Sequence, residues 1–206
     1  MPYLYSAAEI AALISAAGQI RLPLRAASYQ TLTGLLAVTG LRAGEVIRLD
    51  RGDVDLQLGL LTVRGSKGKS RQVPLHPSAV AALAGYAQLR DREQPRPAGP
   101  SFFVSLAGTR LIYQNVHYVF HQLTKDAGLH PRSPVCRPRI HDLRHTFAVN
   151  TITRWYADGG DVDARMPLLS AWLGHASPAE TYWYLTGTPE LLALAAARLE
   201  QHGGGR

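Results

Sequence analysis

Apolar residues recur at helical spacing along most of the chain. In the first stretch Ser6 and Glu9 form a capping-box pattern, and apolar residues then return every three or four positions until Gly18. The same periodicity, with its breaks at glycine and proline, predicts nine helices. They cover Ser6–Gly18, Ser28–Val38, Ala43–Leu49, Ala79–Arg92, Gln114–Ala127, Ile140–Trp155, Pro167–Leu173, Ala179–Tyr184 and Leu191–Leu199.

The period changes from helical to alternating in one region. Asp53–Leu56, Leu60–Arg64 and Arg71–Leu75 are typical of short strands, and turn-like residues separate them. Pro74 has no amide hydrogen, so we expect it at an edge or near the end of the last strand. The pattern predicts an α+β fold that is mostly helical and carries a small three-stranded antiparallel sheet.

Composition limits the class of protein. The chain has 206 residues, 46% of them hydrophobic and 18% charged, which is ordinary for one globular domain. Cys136 is the only cysteine, which excludes an internal disulfide and an all-cysteine zinc site. No apolar run approaches the roughly 20 residues that span a bilayer, and the N-terminus lacks a secretory pattern. We therefore expect a cytoplasmic protein without membrane contact.

Positive charge is concentrated in the middle of the chain. Residues 64–144 hold 13 Lys and Arg against four Asp and Glu, a balance of +9, within a net charge of +7 for the whole chain. Residues 145–206 hold four basic against six acidic residues, a balance of −2. Such a distribution suits either a polyanion partner, of which nucleic acid is the commonest, or a solubilising surface.

The segment His141–His145 carries the densest candidate chemistry. On a helix His141, Arg144 and His145 share one face. Two histidines four residues apart can chelate zinc, but Asp142 stands where metalloproteases carry their glutamate base. A polar helix face around one core histidine is the structural alternative for this segment taken alone.

Other segments add residues of a compatible kind: Arg42 and Glu45 begin a helix, Lys67 and Lys69 lie in a predicted hairpin turn, and Tyr184 follows His175 by nine residues. Arginines, a lysine, histidines and a tyrosine without clustered carboxylates suit metal-free stabilisation of a pentavalent phosphate that a tyrosine attacks.

Five blocks of the chain, in this order, resemble the tyrosine recombinase (phage integrase) family. They are TGLRAGEVIRL, SKGKSRQVPLH, HDLRHTFA, LGHASPAETYWYL and TPELL. Each block alone is moderately specific, whereas their order and the interval from His175 to Tyr184 make the combination specific. The resemblance extends from about Ser6 to Leu199.

The resemblance implies a role for each matching residue. Arg42 and Arg144 would bind the non-bridging oxygens of the scissile phosphate. Tyr184 would be the nucleophile that forms a 3′-phosphotyrosine, and Lys67 the general acid for the 5′ oxygen. In the family this lysine commonly stands five residues before the arginine of the next strand, a position that is Ser66 here. A hairpin one residue shorter keeps Lys67, with Lys69 as the alternative.

Further roles are supporting. His141 and His175 would hydrogen-bond the phosphate, and His141 is also a candidate base for the tyrosine proton. Glu45 would orient the arginine and histidine groups, and His145 would support or pack against the site. Basic side chains expected to contact DNA are Lys69, Arg71, Arg132, Arg137 and Arg139. Tyr182 becomes the rival nucleophile if Tyr184 is buried.

The resemblance also implies assembly and partners. Family members usually carry a separate N-terminal helical domain that clamps the opposite face of DNA, and here the motifs begin at Thr39. We expect residues 1–206 to form a single catalytic domain without that clamp, with 203–206 as a disordered tail. The implied partner is double-stranded DNA, bound by a homotetramer that is a monomer or weak oligomer when free. No cofactor and no metal are implied, and the setting is the bacterial cytoplasm.

The implied function is site-specific DNA recombination through a covalent protein–DNA intermediate. Three alternatives stay open: a type IB topoisomerase-like enzyme with the same chemistry, a non-catalytic DNA-binding remnant, and a metal-dependent phosphodiesterase built on His141 and His145. The last would lose its activity in a chelator.

Overall fold

Helices dominate the fold, and short connections join them. The computed structural model describes residues 1–65, 70–175, 177 and 179–186. The helices within these residues are α1 (Ala7–Gly18), α2 (Pro23–Thr39), α3 (Ala43–Ile47), α4 (Pro77–Glu93), α5 (Tyr113–Asp126), α6 (Asp142–Ala157), α7 (Val162–Leu173) and α8 (Ala179–Tyr182). A 3₁₀ turn at Arg51–Asp53 precedes the sheet, and another, Trp183–Thr186, follows α8. The predicted Leu191–Leu199 helix, the 203–206 tail and both hairpin lysines lie outside the described residues.

The strands form the antiparallel sheet that the sequence predicts. Their order is β1 (Val54–Asp55), β2 (Leu60–Arg64), β3 (Ser70–Pro74), and Leu61 pairs with both Val54 and Val73. Pro74 ends the edge strand β3, where its missing amide hydrogen removes no interior hydrogen bond.

Two helices begin five residues earlier than predicted, and the starts of the other described helices lie within two residues of the predicted ones. Helix α2 begins at Pro23 rather than Ser28, with the proline in the first turn, where its missing N–H is tolerated. Helix α7 begins at Val162 rather than Pro167, because the Asp161 side chain accepts a hydrogen bond of 3.0 Å from the Ala164 amide. Pro167 therefore lies inside this helix instead of starting it.

Two apolar clusters meet at helix α6. The larger one is built from α1 to α5 and the sheet, and it reaches Leu143 at the start of α6. The smaller one contains Ala148 and Ile152 from the rest of α6, residues of α7, and Tyr184. The first turn of α6 therefore lies where the two clusters adjoin.

The N-terminal segment is hydrogen-bonded to α6 and to the residues just before it. The Tyr5 amide donates to Thr146 Oγ1 at 3.0 Å, and its hydroxyl donates to the Arg139 carbonyl at 2.9 Å. Tyr3 and Tyr5 are both buried.

Within the described residues no helix is long and apolar enough to cross a membrane.

Gly40 ends α2 in a left-handed conformation, with φ at +65°, and a β-carbon there would lie 2.4 Å from the Phe147 ring. We expect Gly40→Ala to destabilise the protein by about 3 kcal/mol, because it adds both backbone strain and overlap. Gly85→Ala is the matched control, since nothing lies within 4 Å of its added β-carbon in the middle of α4.

Chemical unfolding of both variants checks this prediction. Gly85→Ala should be neutral or stabilising by up to about 1 kcal/mol. Equal stability of Gly40→Ala and wild type would contradict the role assigned to the Gly40 conformation.

Candidate active site

The residues singled out in the sequence come from segments far apart in the chain. Arg42 is the N-cap residue of α3, and Arg144 lies in the first turn of α6, which His141 precedes. His175 follows α7, and Tyr184 lies in the 3₁₀ turn after α8. The fold brings these five together.

The C-terminal end of α7 is the point where the arginines converge. Arg144 Nη2 donates to the Leu173 carbonyl at 2.8 Å, and Arg42 Nη1 donates to the Gly174 carbonyl at 3.3 Å. Arg71 is a third, donating from Nε to the Trp172 carbonyl at 2.7 Å. Carbonyls at a helix C-terminus carry partial negative charge, so they stabilise the cations gathered there.

Gly174 makes room for this arrangement. It ends α7 in the left-handed conformation, and a β-carbon at this position would lie 2.5 Å from Arg71 Nη1. A larger residue would displace the Arg71 guanidinium from the helix end.

Arg144 is held more completely than a surface arginine. Its exposed fraction is 2%, and Nη1 also donates to the Gly40 carbonyl at 2.9 Å. Burial, and next the neighbouring Arg42 charge, lower its pKa to about 10, so it stays charged at neutral pH. A buried guanidinium with its position fixed by two carbonyls is prepared for an anion.

Glu45 provides the compensating negative charge. Its carboxylate accepts two hydrogen bonds from Arg71, at 3.0 and 3.1 Å, and one from the Arg42 amide at 2.9 Å. Arg42 Nη1 lies 3.5 Å from the same carboxylate. Burial raises the pKa of Glu45, but the bonds and charges of Arg71 and Arg42 outweigh it and leave the pKa below its usual value. The Glu45 carboxylate thus holds two arginines in place.

Two of the three histidines contact Tyr184, and the third contacts one of those two. The ring centroid of His145 lies 5.5 Å from that of Tyr184 and 4.8 Å from that of His141, both in edge-to-face contacts. The His175 ring stacks on Tyr184 with centroids 6.0 Å apart. Among the described residues, the buried Nδ1 of His145 has no hydrogen-bond partner.

All three imidazoles are neutral at pH 7. Burial, followed by the charges of Arg144 and Arg42, lowers the pKa of His175 to about 4. Burial and then His141 lower the pKa of His145 to about 4 as well. The pKa of His141 falls for the same main reason, with Arg144 as the next cause. The site therefore combines charged arginines with uncharged histidines.

Tyr184 is buried, with an exposed fraction of 4%, against 39% for Tyr182. The sequence analysis named Tyr182 as the rival nucleophile if Tyr184 is buried, and that condition is met. Tyr184 is buried against the site's own His145 and His175. Burial therefore places Tyr184 inside the cluster of candidate residues.

A cleft of about 220 Å³ opens beside this cluster. Its lining includes the predicted Arg42, Glu45 and His141 together with two residues that sequence reasoning missed, Arg48 and Tyr113. Arg48 lies three residues beyond Glu45, a spacing that could have indicated a shared face. Tyr113 comes from α5, and only the fold brings it here.

Arg71 lies in this site rather than on an open surface. Its side chain is 17% exposed and is paired with Glu45. No sequence pattern indicated the pairing of Arg71 with Glu45, because the two residues are 26 positions apart in the chain. Its expected contact with DNA stays a prediction.

Three of the other basic residues expected to contact DNA have protein partners of their own: Arg132, Arg137 and Arg139. Arg132 lies over the Tyr3 ring at 4.3 Å and pairs with Glu9, and Arg139 donates to Asp142 at 3.0 and 2.9 Å. Arg137 is exposed. Their contacts with DNA remain predictions.

No group of three or more His, Cys, Asp or Glu residues is arranged to hold a metal ion, in the part of the chain that the structure describes.

The sequence of the chain matches that of a known protein family over most of its length. The sequence model of the phage integrase family matches residues 5–190. The chain belongs to the phage integrase family.

A relative from a bacterium is longer than this chain and matches nearly all of it. "Putative integrase/recombinase y4rB" of Sinorhizobium fredii (strain NBRC 101917 / NGR234) is 44% identical over 207 aligned positions, covering 97% of this chain and 66% of that protein. The chain thus spans just under two thirds of this relative.

Solved structures share the fold. The XerA recombinase is 31% identical with a TM-score of 0.76, and the match covers 98% of this chain and 65% of that one. A lambda integrase dimer bound to a COC′ core site is 25% identical with a TM-score of 0.59, over 88% of this chain and 47% of that one.

The neutral histidines make stability depend on pH. Below about pH 6.5 the unfolded chain protonates His145 and His175, whereas the folded chain, with both pKa values near 4, does not. The free energy of unfolding should therefore fall as the pH drops from about 6.5 towards 4. Glu45, with its lowered pKa, adds its own loss only below about pH 4.5.

Urea unfolding at about pH 7 and about pH 5 measures this dependence. The variant His175→Gln should lose less stability between the two values than wild type does. The exposed His130 provides the matched control His130→Gln, which should keep the wild-type dependence. An unchanged dependence in His175→Gln would contradict the burial of a neutral imidazole there.

Proposed function

We propose that this chain is the catalytic domain of a site-specific DNA recombinase that cuts and rejoins duplex DNA through Tyr184. The observation that carries the proposal is the convergence of Arg42, Arg144 and the neutral histidines around one buried tyrosine. Membership of the phage integrase family and the recombinase relatives support the same reaction class.

The arginines are the proposed phosphate ligands. Each guanidinium has five N–H donors, and the carbonyl bonds of Arg144 use only one on each terminal nitrogen. Donors therefore remain for non-bridging phosphate oxygens, while the helix end holds the planar group in place. Fixed donors of this kind stabilise the extra charge of a pentavalent phosphate without reorganising during the reaction.

The chemical step transfers a phosphoryl group between two oxygens. The Tyr184 hydroxyl oxygen forms a bond to phosphorus as its proton passes to a base, for which His141 is the candidate. The bond from phosphorus to the 5′ oxygen breaks, and that oxygen takes a proton from Lys67, or from Lys69 as the alternative. The 3′-phosphotyrosine conserves the bond energy, so attack by a 5′-hydroxyl reseals the strand.

The neutral histidines suit this step. A neutral His141 can accept a proton, and a neutral imidazole can donate one hydrogen bond to a phosphate oxygen. Charge stabilisation then rests on the two arginines, and proton transfer rests on separate groups.

The proposed partners follow from the reaction. The substrate is double-stranded DNA, and exchange of two pairs of strands requires four protomers, so a homotetramer on DNA is the proposed working form. The lambda integrase structure, a dimer bound to a core site, is consistent with assembly on DNA. Residues 1–206 are proposed to act as one catalytic domain.

Covalent capture on randomised DNA tests the nucleophile and requires no defined target site. A pool of duplexes with a randomised central segment is incubated with protein in a chelator, quenched in detergent, and the protein-linked DNA is recovered and sequenced. Wild type should yield covalent adducts enriched in a common sequence, and Tyr184→Phe should lower the yield by at least about 1000-fold, since no oxygen remains to attack phosphorus.

Tyr182→Phe is the matched control and should retain adducts, because Tyr182 lies outside the histidine cluster proposed to act on phosphate. Equal adduct yields from Tyr184→Phe and wild type would refute the assignment. Loss of all adducts in chelator, with their return on adding a divalent metal, would favour metal-dependent chemistry instead.

A further inference from the structure

His175 has a second neighbour besides Tyr184. Its Nδ1 lies 2.6 Å from the hydroxyl oxygen of Thr181, and Thr181 is fully buried, with an exposed fraction of 0%. Thr181 belongs to α8, one helical turn before Tyr184. The pair therefore joins the residue after α7 to the segment that carries the tyrosine.

Burial decides which atom donates the hydrogen. If Nδ1 carried the hydrogen and donated it, the hydroxyl hydrogen of Thr181 would need another acceptor. Among the described residues, His175 is the hydrogen-bond partner of this hydroxyl, and no water reaches a side chain without exposed surface. An unsatisfied buried hydroxyl is unfavourable, because it loses its hydrogen bonds to water and gains none in the protein. The hydroxyl therefore donates and Nδ1 accepts.

This direction determines the other ring nitrogen. A neutral imidazole carries one hydrogen, so with Nδ1 as acceptor the hydrogen lies on Nε2. The opposite tautomer would leave a lone pair on Nε2, which repels a phosphate oxygen. Whether Nε2 of His175 can donate a hydrogen bond to the phosphate thus depends on Thr181, which does not itself touch the phosphate.

We propose that Thr181 is a positioning residue that fixes His175 in the Nε2–H tautomer and so makes it a hydrogen-bond donor to the phosphate. The role towards phosphate rests on the proposed function, whereas the tautomer is a property of the free protein. Because Thr181 and Tyr184 share one short segment, the same bond also sets the position of that segment against the end of α7.

Nitrogen NMR tests the tautomer without DNA. Protein labelled with ¹⁵N in its eight histidines is studied by long-range ¹H–¹⁵N correlation near pH 7, and His175→Gln identifies the His175 signals. Wild type and Thr181→Ser should show His175 as the Nε2–H tautomer alone. Thr181→Val removes the hydroxyl and should produce a mixture of tautomers, with the other histidine signals unchanged.

A wild-type spectrum with His175 as the Nδ1–H tautomer would overturn the proposal, even if Thr181→Val does not fold. So would a Thr181→Val spectrum in which the His175 signals stay as in wild type. Thr151→Val is the matched control, because the Thr151 hydroxyl donates only to a carbonyl within α6, that of Phe147 at 2.8 Å. It should leave the His175 signals unchanged.

The covalent capture assay supplies the second readout. Thr181→Val should lower the rate of adduct formation about fivefold to tenfold, matching the loss of one hydrogen bond, and Thr181→Ser should restore most of it. An unchanged rate in Thr181→Val would contradict the role towards phosphate. Failure of the proposed function would abolish adducts in every variant but leave the NMR result intact, so the two failures are distinguishable.

Discussion

Three guanidinium groups meet at the last carbonyls of helix α7, and the rest of the site depends on that meeting. Arg42, Arg71 and Arg144 approach Gly174, Trp172 and Leu173 respectively, although like charges this close repel one another. Helix-end carbonyls and the buried Glu45 carboxylate offset the repulsion. The arrangement leaves an excess of positive charge that an incoming phosphate can neutralise.

The histidines beside the arginines are uncharged at neutral pH. Burial is the main cause that lowers the pKa of His145 and His175 to about 4, and the next cause is the neighbouring His141 for His145 and the charges of Arg144 and Arg42 for His175. Uncharged imidazoles can then act through the position of a single hydrogen. Thr181 is the natural residue to control that position for His175, since its hydroxyl is buried beside Nδ1.

Local signals predicted local structure well. Ser6 and Glu9 form the expected capping box, and strand Leu60–Arg64 has the predicted ends, because both depend on neighbouring residues. Helix α7 begins at Val162, five residues before the predicted Pro167, because the Asp161 side chain caps it there.

Long-range pairing was the part that local patterns could not supply. Arg42 and Tyr184 were assigned to one site because their motifs occur in the order typical of the family. The pairing of Arg71 with the Glu45 carboxylate joins two separate elements, and no local spacing indicates it. Thr181 was within reach of sequence reasoning, because it stands one helical turn before Tyr184.

The most direct test of this account is to identify the atom that holds the DNA. Captured adducts are digested with nuclease and protease, and the peptide that carries a nucleotide is sequenced by mass spectrometry. We expect a nucleotide joined through its 3′ phosphate to Tyr184. A link to Tyr182 or to any other residue, or a link through a 5′ phosphate, would contradict it.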